Sequence, residues 1–280
     1  MQVIEYPSAT EFLEANRDLL MKNEAGNAII LGYANQQTQG VDSAMSTNFF
    51  SINDDDGNPL LPAMFTPGIV PLLSEGPEEA ARIFARFFFP KRTRPTGVNG
   101  PKDEALAFAD EWERLTRCKL ELRMNSRIYA CHSVENLKLA AEGSFRQATT
   151  KDFKLVKKWR YAFRDEVEGI VLADDDHIRS QIKSGNTYLW ITDEPVSVAV
   201  RGRDTDNGGT VGAVYTPPKH RNNGYATAIT AAATQAILDS GKKYAVLYTD
   251  LDNPTSNSIY QQIGYKPVMD TTLWRFNPTI

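Results

Sequence analysis

Residues 210–227 read Thr-Val-Gly-Ala-Val-Tyr-Thr-Pro-Pro-Lys-His-Arg-Asn-Asn-Gly-Tyr-Ala-Thr, and this run constrains the 280-residue chain more than any other. Thr210–Tyr215 has the apolar character of a strand, Pro217 and Pro218 stiffen its exit, and Gly224 turns into an Ala-rich helix spanning Gly224–Ser240. The first amides of a helix lack internal partners and lie at the positive end of its dipole, so a strand–loop–helix junction of this kind suits phosphate oxygens. Arg221 adds a planar, bidentate donor. Gly224 removes a Cβ that would obstruct a diphosphate against the backbone, and Ala226 keeps the first turn open. The loop matches neither GxGxxG nor GxxxxGK(S/T), which sets aside dinucleotide and P-loop readings.

The remaining signals describe a globular chain of two halves. Hydrophobic residues make up 41% and charged residues 24%, which excludes a disordered protein. Up to residue 145 there are 14 basic and 20 acidic residues; after it there are 17 and 15. Neither half is basic enough for nucleic-acid binding. The start has no basic, then apolar, leader, and the apolar stretch around Ala28–Ala34 is far below the ~18–20 residues of a membrane span. A cytoplasmic protein without membrane contact is expected. Cys118 and Cys131 are not in CxxC spacing, and His132, His177 and His220 form no HExxH or HxH pattern, so neither a disulfide framework nor a metal site is expected.

Helices are predicted over residues 8–22, with Ser8 opening a capping-box pattern, and over Pro77–Phe89, Lys102–Arg117, a stretch from Thr149, Asp174–Lys183, Gly224–Ser240 and a stretch from Pro254 to Gly264. Strands are predicted at Ala28–Tyr33, Thr96–Asn99, Thr187–Thr192, Val196–Arg201, Thr210–Tyr215, Tyr244–Asp250 and Leu273–Phe276, with Leu120–Cys131 as a strand pair or hairpin. Residues 53–58 mark a turn, and Ala140–Ser144 a linker. The two halves echo each other. Phe65-Thr66-Pro67 recurs as Tyr215-Thr216-Pro217, Asn99-Gly100-Pro101 as Asp252-Asn253-Pro254, and a Thr-capped helix opens each half. These matches at similar spacing favour an internal duplication.

The 210–227 run resembles the pyrophosphate loop of the GNAT superfamily of acyl-CoA N-acyltransferases, Arg/Gln-x-x-Gly-x-Gly/Ala, here Arg221-x-x-Gly224-x-Ala226. A second segment, Asn253-Pro254-x-x-Asn257-x-x-Tyr260 before Gly264-Tyr265, resembles the next helix of that family. The resemblance implies an α/β (α+β) fold of two GNAT-like domains, each a mixed, mostly antiparallel twisted sheet flanked by helices: a degenerate domain at 1–140 and a catalytic one at 145–280. It implies that acetyl-CoA is the acyl donor, with its pantetheine arm along Val214, Tyr215 and Thr216. The diphosphate would lie on Arg221, Asn222, Asn223, Gly224, Tyr225, Ala226 and Thr227, with Asn253 and Asn257 beside the cofactor. Tyr260 would protonate the departing thiolate, no metal is needed, and the acceptor is an amine-bearing small molecule or peptide. The alternative is a non-catalytic acyl-CoA sensor or interaction module.

Structural explanations stand beside these roles. Asn253 before Pro254 is a good helix cap, Tyr260 fits a half-buried core position, and Arg221 fits a solvated surface cation. Lys219 and His220 fit the surface, and Lys154, Lys157, Lys158 and Arg160 the wet face of a helix. No carboxylate lies in Thr210–Thr216. Asp204, Asp206 and Asp250 are near in sequence, but no base is assigned. In the first half the counterpart loop is Thr66–Pro77, which has no arginine and carries Glu75, with Glu78 and Glu79 just beyond it. That half is expected to bind no CoA and to wall the acceptor cleft, so a monomer is expected.

Overall fold

The computed structural model describes residues 1–40, 47–135, 141–166 and 175–278. They form two compact units, Met1–Ile128 with Thr249–Asp252 and Val268–Ile280, and Tyr129–Tyr248 with Asn253–Pro267. This division differs from consecutive domains at 1–140 and 145–280, because two C-terminal pieces join the first unit. Ala140 of the expected linker and Asp174 of an expected helix lie outside the described residues.

In the first unit, β1 (Gln2–Tyr6) leads to Ser8, whose hydroxyl accepts the Glu11 amide and starts α1 (Ala9–Met21). The cap is Ser8, where the capping-box pattern places it, so only the second half opens on a threonine cap. Ala28–Tyr33 is not a strand; it belongs to α2 (Ala28–Thr38). A short, uniformly apolar run carries no periodicity to separate strand from buried helix. Here Ile30, Leu31 and Ala34 recur at helical spacing and pack with Phe12 and Leu20. A hairpin, β2 (Asn48–Asn53) and β3 (Pro59–Phe65), turns through Asp54–Asn58, where Asp54 Oδ1 accepts two amides and Gly57 has φ +89°. Next come β4 (Leu72–Leu73), α3 (Glu78–Phe88), β5 (Gly97–Pro101), α4 (Lys102–Thr116) and β6 (Lys119–Cys131). β6 is one 13-residue strand rather than a strand pair, having no glycine or proline to break it. Neighbours pair in the order β1-β2-β3-β4-β5, all antiparallel except β4 with β5. Phe84 and Phe88 of α3 and Phe108 and Trp112 of α4 fill the core on this sheet.

The second unit repeats the scheme. β7 (Ser144–Gln147) leads to Thr149, whose capping box with Asp152 opens a 3₁₀ turn that continues as α5 (Phe153–Glu166). Then follow α6 (Asp175–Lys183), β8 (Thr187–Ile191), β9 (Pro195–Asp204), β10 (Gly208–Tyr215), α7 (Tyr225–Asp239), β11 (Tyr244–Asp250), α8 (Pro254–Ile263) and β12 (Lys266–Asn277). The order is β7-β8-β9-β10-β11, antiparallel except for β10 with β11. Helices α5 and α6 pack on Leu189, Val198 and Tyr215, while α7 packs against Val196, Ala199, Val211 and Ala245. Most of β12 belongs to the first unit, where Thr271–Arg275 pair antiparallel with β5.

Each half of the chain thus follows the series strand, two helices, three strands, helix, strand, helix, strand, with a parallel pair at the same step, β4 with β5 and β10 with β11. Asn99-Gly100-Pro101 and Asp252-Asn253-Pro254 both precede the last helix of their series. Phe65-Thr66-Pro67 is out of step: it follows β3, whereas Tyr215-Thr216-Pro217 follows β10, the counterpart of β4. Among the described residues no helix is long and apolar enough to cross a membrane.

Candidate functional site

The parallel pair β10 and β11 is in register only from Gly208↔Tyr244 to Thr210↔Val246. Beyond Thr210, β10 continues to Tyr215 with only β9 as its partner, so a gap opens on its β11 side. Within this stretch the strand bulges: Gly212 faces Val200 and Tyr215 faces Val198, three steps against two. The extra residue is Ala213 at φ +47°, a left-handed conformation costing an L-residue about 1–2 kcal/mol. The register shift leaves Ala213 and Val214 without opposite residues in the β9 ladder. Gly212 is exposed, and a Cβ built on it meets no atom within 4 Å.

The strand exit is pinned by Ser197, whose hydroxyl donates to the Tyr215 carbonyl at 3.0 Å and lies 2.9 Å from Thr216 Oγ1. A 3₁₀ turn over Pro218–His220 follows, then Arg221 in extended backbone, Asn222 at φ +66° and Gly224 at φ +74°. Asn223 Nδ2 donates to the carbonyls of His220 and Arg221, which fixes the loop from within. Among the described residues no side chain caps α7, which leaves its first-turn amides at Tyr225, Ala226 and Thr227 without a side-chain acceptor there.

Arg221 is half-exposed and engaged. Its Nε donates to the Thr216 carbonyl at 3.0 Å and its Nη2 to Glu166 Oε2 at 2.6 Å. Tyr215 donates its hydroxyl to the other Glu166 oxygen at 3.3 Å, and burial, then the carboxylate, raise the Tyr215 pKa above the usual phenol value. Lys219 pairs with Glu194 at 2.8 Å, and His220 Nε2 lies 3.4 Å from the same carboxylate oxygen. Glu166 lies 55 residues before Arg221, and no local pattern in the sequence links the two.

In α8, Asn253 accepts the Ser256 amide at 3.1 Å and Pro254 occupies the first turn. Asn257 donates to the Asn253 carbonyl at 2.8 Å and accepts from the Tyr129 hydroxyl at 3.1 Å. Both asparagines therefore have local structural work. Tyr260 packs edge-on against Tyr265 with ring centroids 6.0 Å apart. Burial raises its phenol above the ordinary value, so it is protonated near neutral pH and can give a proton but not take one.

The other charged candidates are tied elsewhere. Asp204 is held by Arg201 at 2.6 and 3.1 Å, and Asp250 accepts the Asp252 amide at 2.9 Å. Lys157 pairs with Asp175 on the helix face, but Arg160 is part-buried, donates to Gln181 and has its pKa lowered by desolvation, so it does not belong to the expected wet face. Cys131 is a free thiol pushed up to about 11 by burial, so it is no nucleophile.

The first unit closes the same step. Thr66–Pro77 contains β4, so the counterpart of the loop over residues 216–224 is Ser74–Pro77. There the Gly76 amide donates to Glu104 Oε1 at 2.9 Å, and burial raises that carboxyl's pKa. Asn23 donates to Glu75 at 2.7 Å, while Glu78 and Glu79 pair with Arg82 and Arg86. A Cβ on Gly100 of β5 would lie 2.9 Å from Leu73 Cβ of β4, so the two strands run in close contact.

A family model described as FR47-like protein matches residues 188–275. No curated protein matches the chain significantly in sequence. Among solved structures, a GNAT-family acetyltransferase from Colwellia psychrerythraea superposes with TM-score 0.60 at 10% identity over 100% of both chains. A GCN5-related N-acetyltransferase from Sphaerobacter thermophilus gives 0.58 at 15% identity, covering 99% of this chain and 97% of that one. A tandem GNAT protein from the clavulanic acid biosynthesis pathway gives 0.59 at 11% identity over 100% of both. With its two repeated units, each a mixed and mostly antiparallel sheet flanked by helices, this chain has the tandem GNAT fold.

Proposed function

We propose that the chain is an acetyl-CoA-dependent N-acetyltransferase with a single competent site, in the second unit. The carrying observation is the contrast between equivalent steps. Beside β10 the gap is open and the strand is bulged. Beside β4 the strands touch, and Glu104 already occupies the Gly76 amide. On this reading the first unit is degenerate and the second supplies the catalytic groups. Arg221 and the amides from Asn222 to Thr227 receive the diphosphate. The backbone of Val214, Tyr215 and Thr216 receives the pantetheine arm.

The thioester supplies an activated acyl carbon. The bulge presents an amide near Val214 to its carbonyl oxygen, which favours the charge that grows there as an acceptor amine attacks. The amine–acyl bond forms, the carbon–sulfur bond breaks, and Tyr260 gives its proton to the departing thiolate. The ammonium proton leaves through water or a side chain of the acceptor cleft. An amine-bearing small molecule or peptide is the acceptor, and the chain acts as a monomer in the cytoplasm. Thiol release across polyamine, aminoglycoside, amino-acid and peptide acceptors tests this. Tyr260→Phe should lower turnover at least tenfold while leaving acetyl-CoA affinity within about twofold. Unchanged turnover would return Tyr260 to the core. One observation favours a second reading, a non-catalytic acyl-CoA sensor: Val211–Tyr215 carries no carboxylate to serve as base. Acetyl-CoA binding without thiol release to any acceptor would select it.

A further inference from the structure

The loop after β10 presents three consecutive basic side chains, and none of them is left to solvent alone. Lys219 and His220 face Glu194, and Arg221 is held by Glu166 at 2.6 Å. The fixed charges of Lys219 and Arg221 are matched one for one by carboxylates from the β8–β9 turn and from the last residue of α5. We infer that Glu166 is an internal competitor for the anion site: its carboxylate occupies the guanidinium that a diphosphate would need, and binding exchanges one anion for the other. This rests on the acyl-CoA reading of the loop.

Three features support exchange over a permanent structural tie. Both partners are about 43–44% exposed, so the pair is held by little desolvation and can open without breaking a core. Among the described residues Glu166 is held through two contacts, the Arg221 guanidinium and the Tyr215 hydroxyl at 3.3 Å, so few bonds must break to release it. Arg221 also keeps its Nε bond to the Thr216 carbonyl at 3.0 Å, which leaves the guanidinium in place beside the loop when the Nη2 partner changes. A carboxylate and a phosphate oxygen make the same kind of charge-assisted bond to Nη2, so one can replace the other without moving the backbone.

The experiment is calorimetric titration of CoA into the full chain and into Glu166→Gln, with Asp239→Asn as a control. Asp239 ends α7, about 20 Å from its first turn at the helical rise, so that variant removes the same charge away from the loop. Glu166→Gln should bind CoA about two- to fivefold more tightly, the range expected for removing an exposed ion pair, and the gain should shrink at high salt. Asp239→Asn should leave affinity unchanged. Thermal melts without ligand show that both variants fold. CoA binding to the parent with equal or weaker affinity in Glu166→Gln overturns the competitor role while the cofactor reading stands, as does an equal gain in Asp239→Asn. CoA binding to neither the parent nor Glu166→Gln overturns the cofactor reading and the competitor role together.

Discussion

Glu111 offers a quantitative test of how the first unit holds its closed arrangement. It sits on α4 with its side chain 6% exposed, accepting from Arg86 of α3 at 2.7 Å and from Arg114 at 2.7 and 2.9 Å. The Arg114 and Arg86 guanidinium groups pull its carboxyl from 4.5 down to about 2. A shift of that size corresponds to at most about 3.4 kcal/mol by linkage. The two arginines are 45% and 63% exposed, so water screens the pairs and about 1.5–2 kcal/mol is the better expectation. The sign follows from the direction. A depressed carboxyl contributes its full stability above its unfolded value of 4.5, and loses it as pH falls through about 2. Urea unfolding followed by circular dichroism at pH 7, 5, 4, 3 and 2.5 measures this for the parent and Glu111→Gln. The variant should be about 1.5–2 kcal/mol less stable at pH 7, with the difference shrinking steadily below pH 4.5. A variant as stable as the parent at pH 7, or a difference independent of pH, would refute the reasoning.

Two further substitutions probe the second unit. Ala213→Val places a β-branched residue at φ +47° and should cost about 1–2 kcal/mol in urea unfolding, with Ala213→Gly costing much less; equal stabilities would mean that the bulge does not constrain this residue. Asn253→Ala removes the acceptor of the Ser256 amide and should lower stability by about 1 kcal/mol, visible as a lower Tm; an unchanged Tm would free Asn253 for a role outside the cap.

Much of the architecture was legible wherever a side chain acts on its own neighbours. Thr149 with Asp152, Pro254 after Asn253, and Gly264 at φ +111° fix helix ends through bonds spanning a few residues, and those ends were predicted nearly to the residue. Ala28–Tyr33 was misread as a strand because its apolar run looks the same on every side, and only Phe12 and Leu20 of α1 decide for a helix. β1 carries no local mark because its pairing with β2, such as Val3↔Ile52, joins residues about 50 apart. The hairpin strands β2 and β3 are buried along most of their length and so show no alternation of polar and apolar residues. The site divides in the same way. Arg221, Gly224 and Ala226 share one loop and could be found from spacing. The Ala213 bulge and the Glu166 pairing depend on register and on a distant helix end, which leave no local mark. Counterpart loops were also misaligned, since the two-residue strand β4 is too short to carry a periodic signal.

The most direct test of the central claim is the stoichiometry of acetyl-CoA by isothermal titration calorimetry. One molecule should bind per chain, with Arg221→Ala and Gly224→Val each weakening affinity at least tenfold, because one removes the bidentate donor and the other fills a φ +74° position beside the helix start. Two molecules per chain would show that the first unit is not closed to the cofactor. No binding by the parent, or equal affinity in all three proteins, would contradict the assignment of the loop.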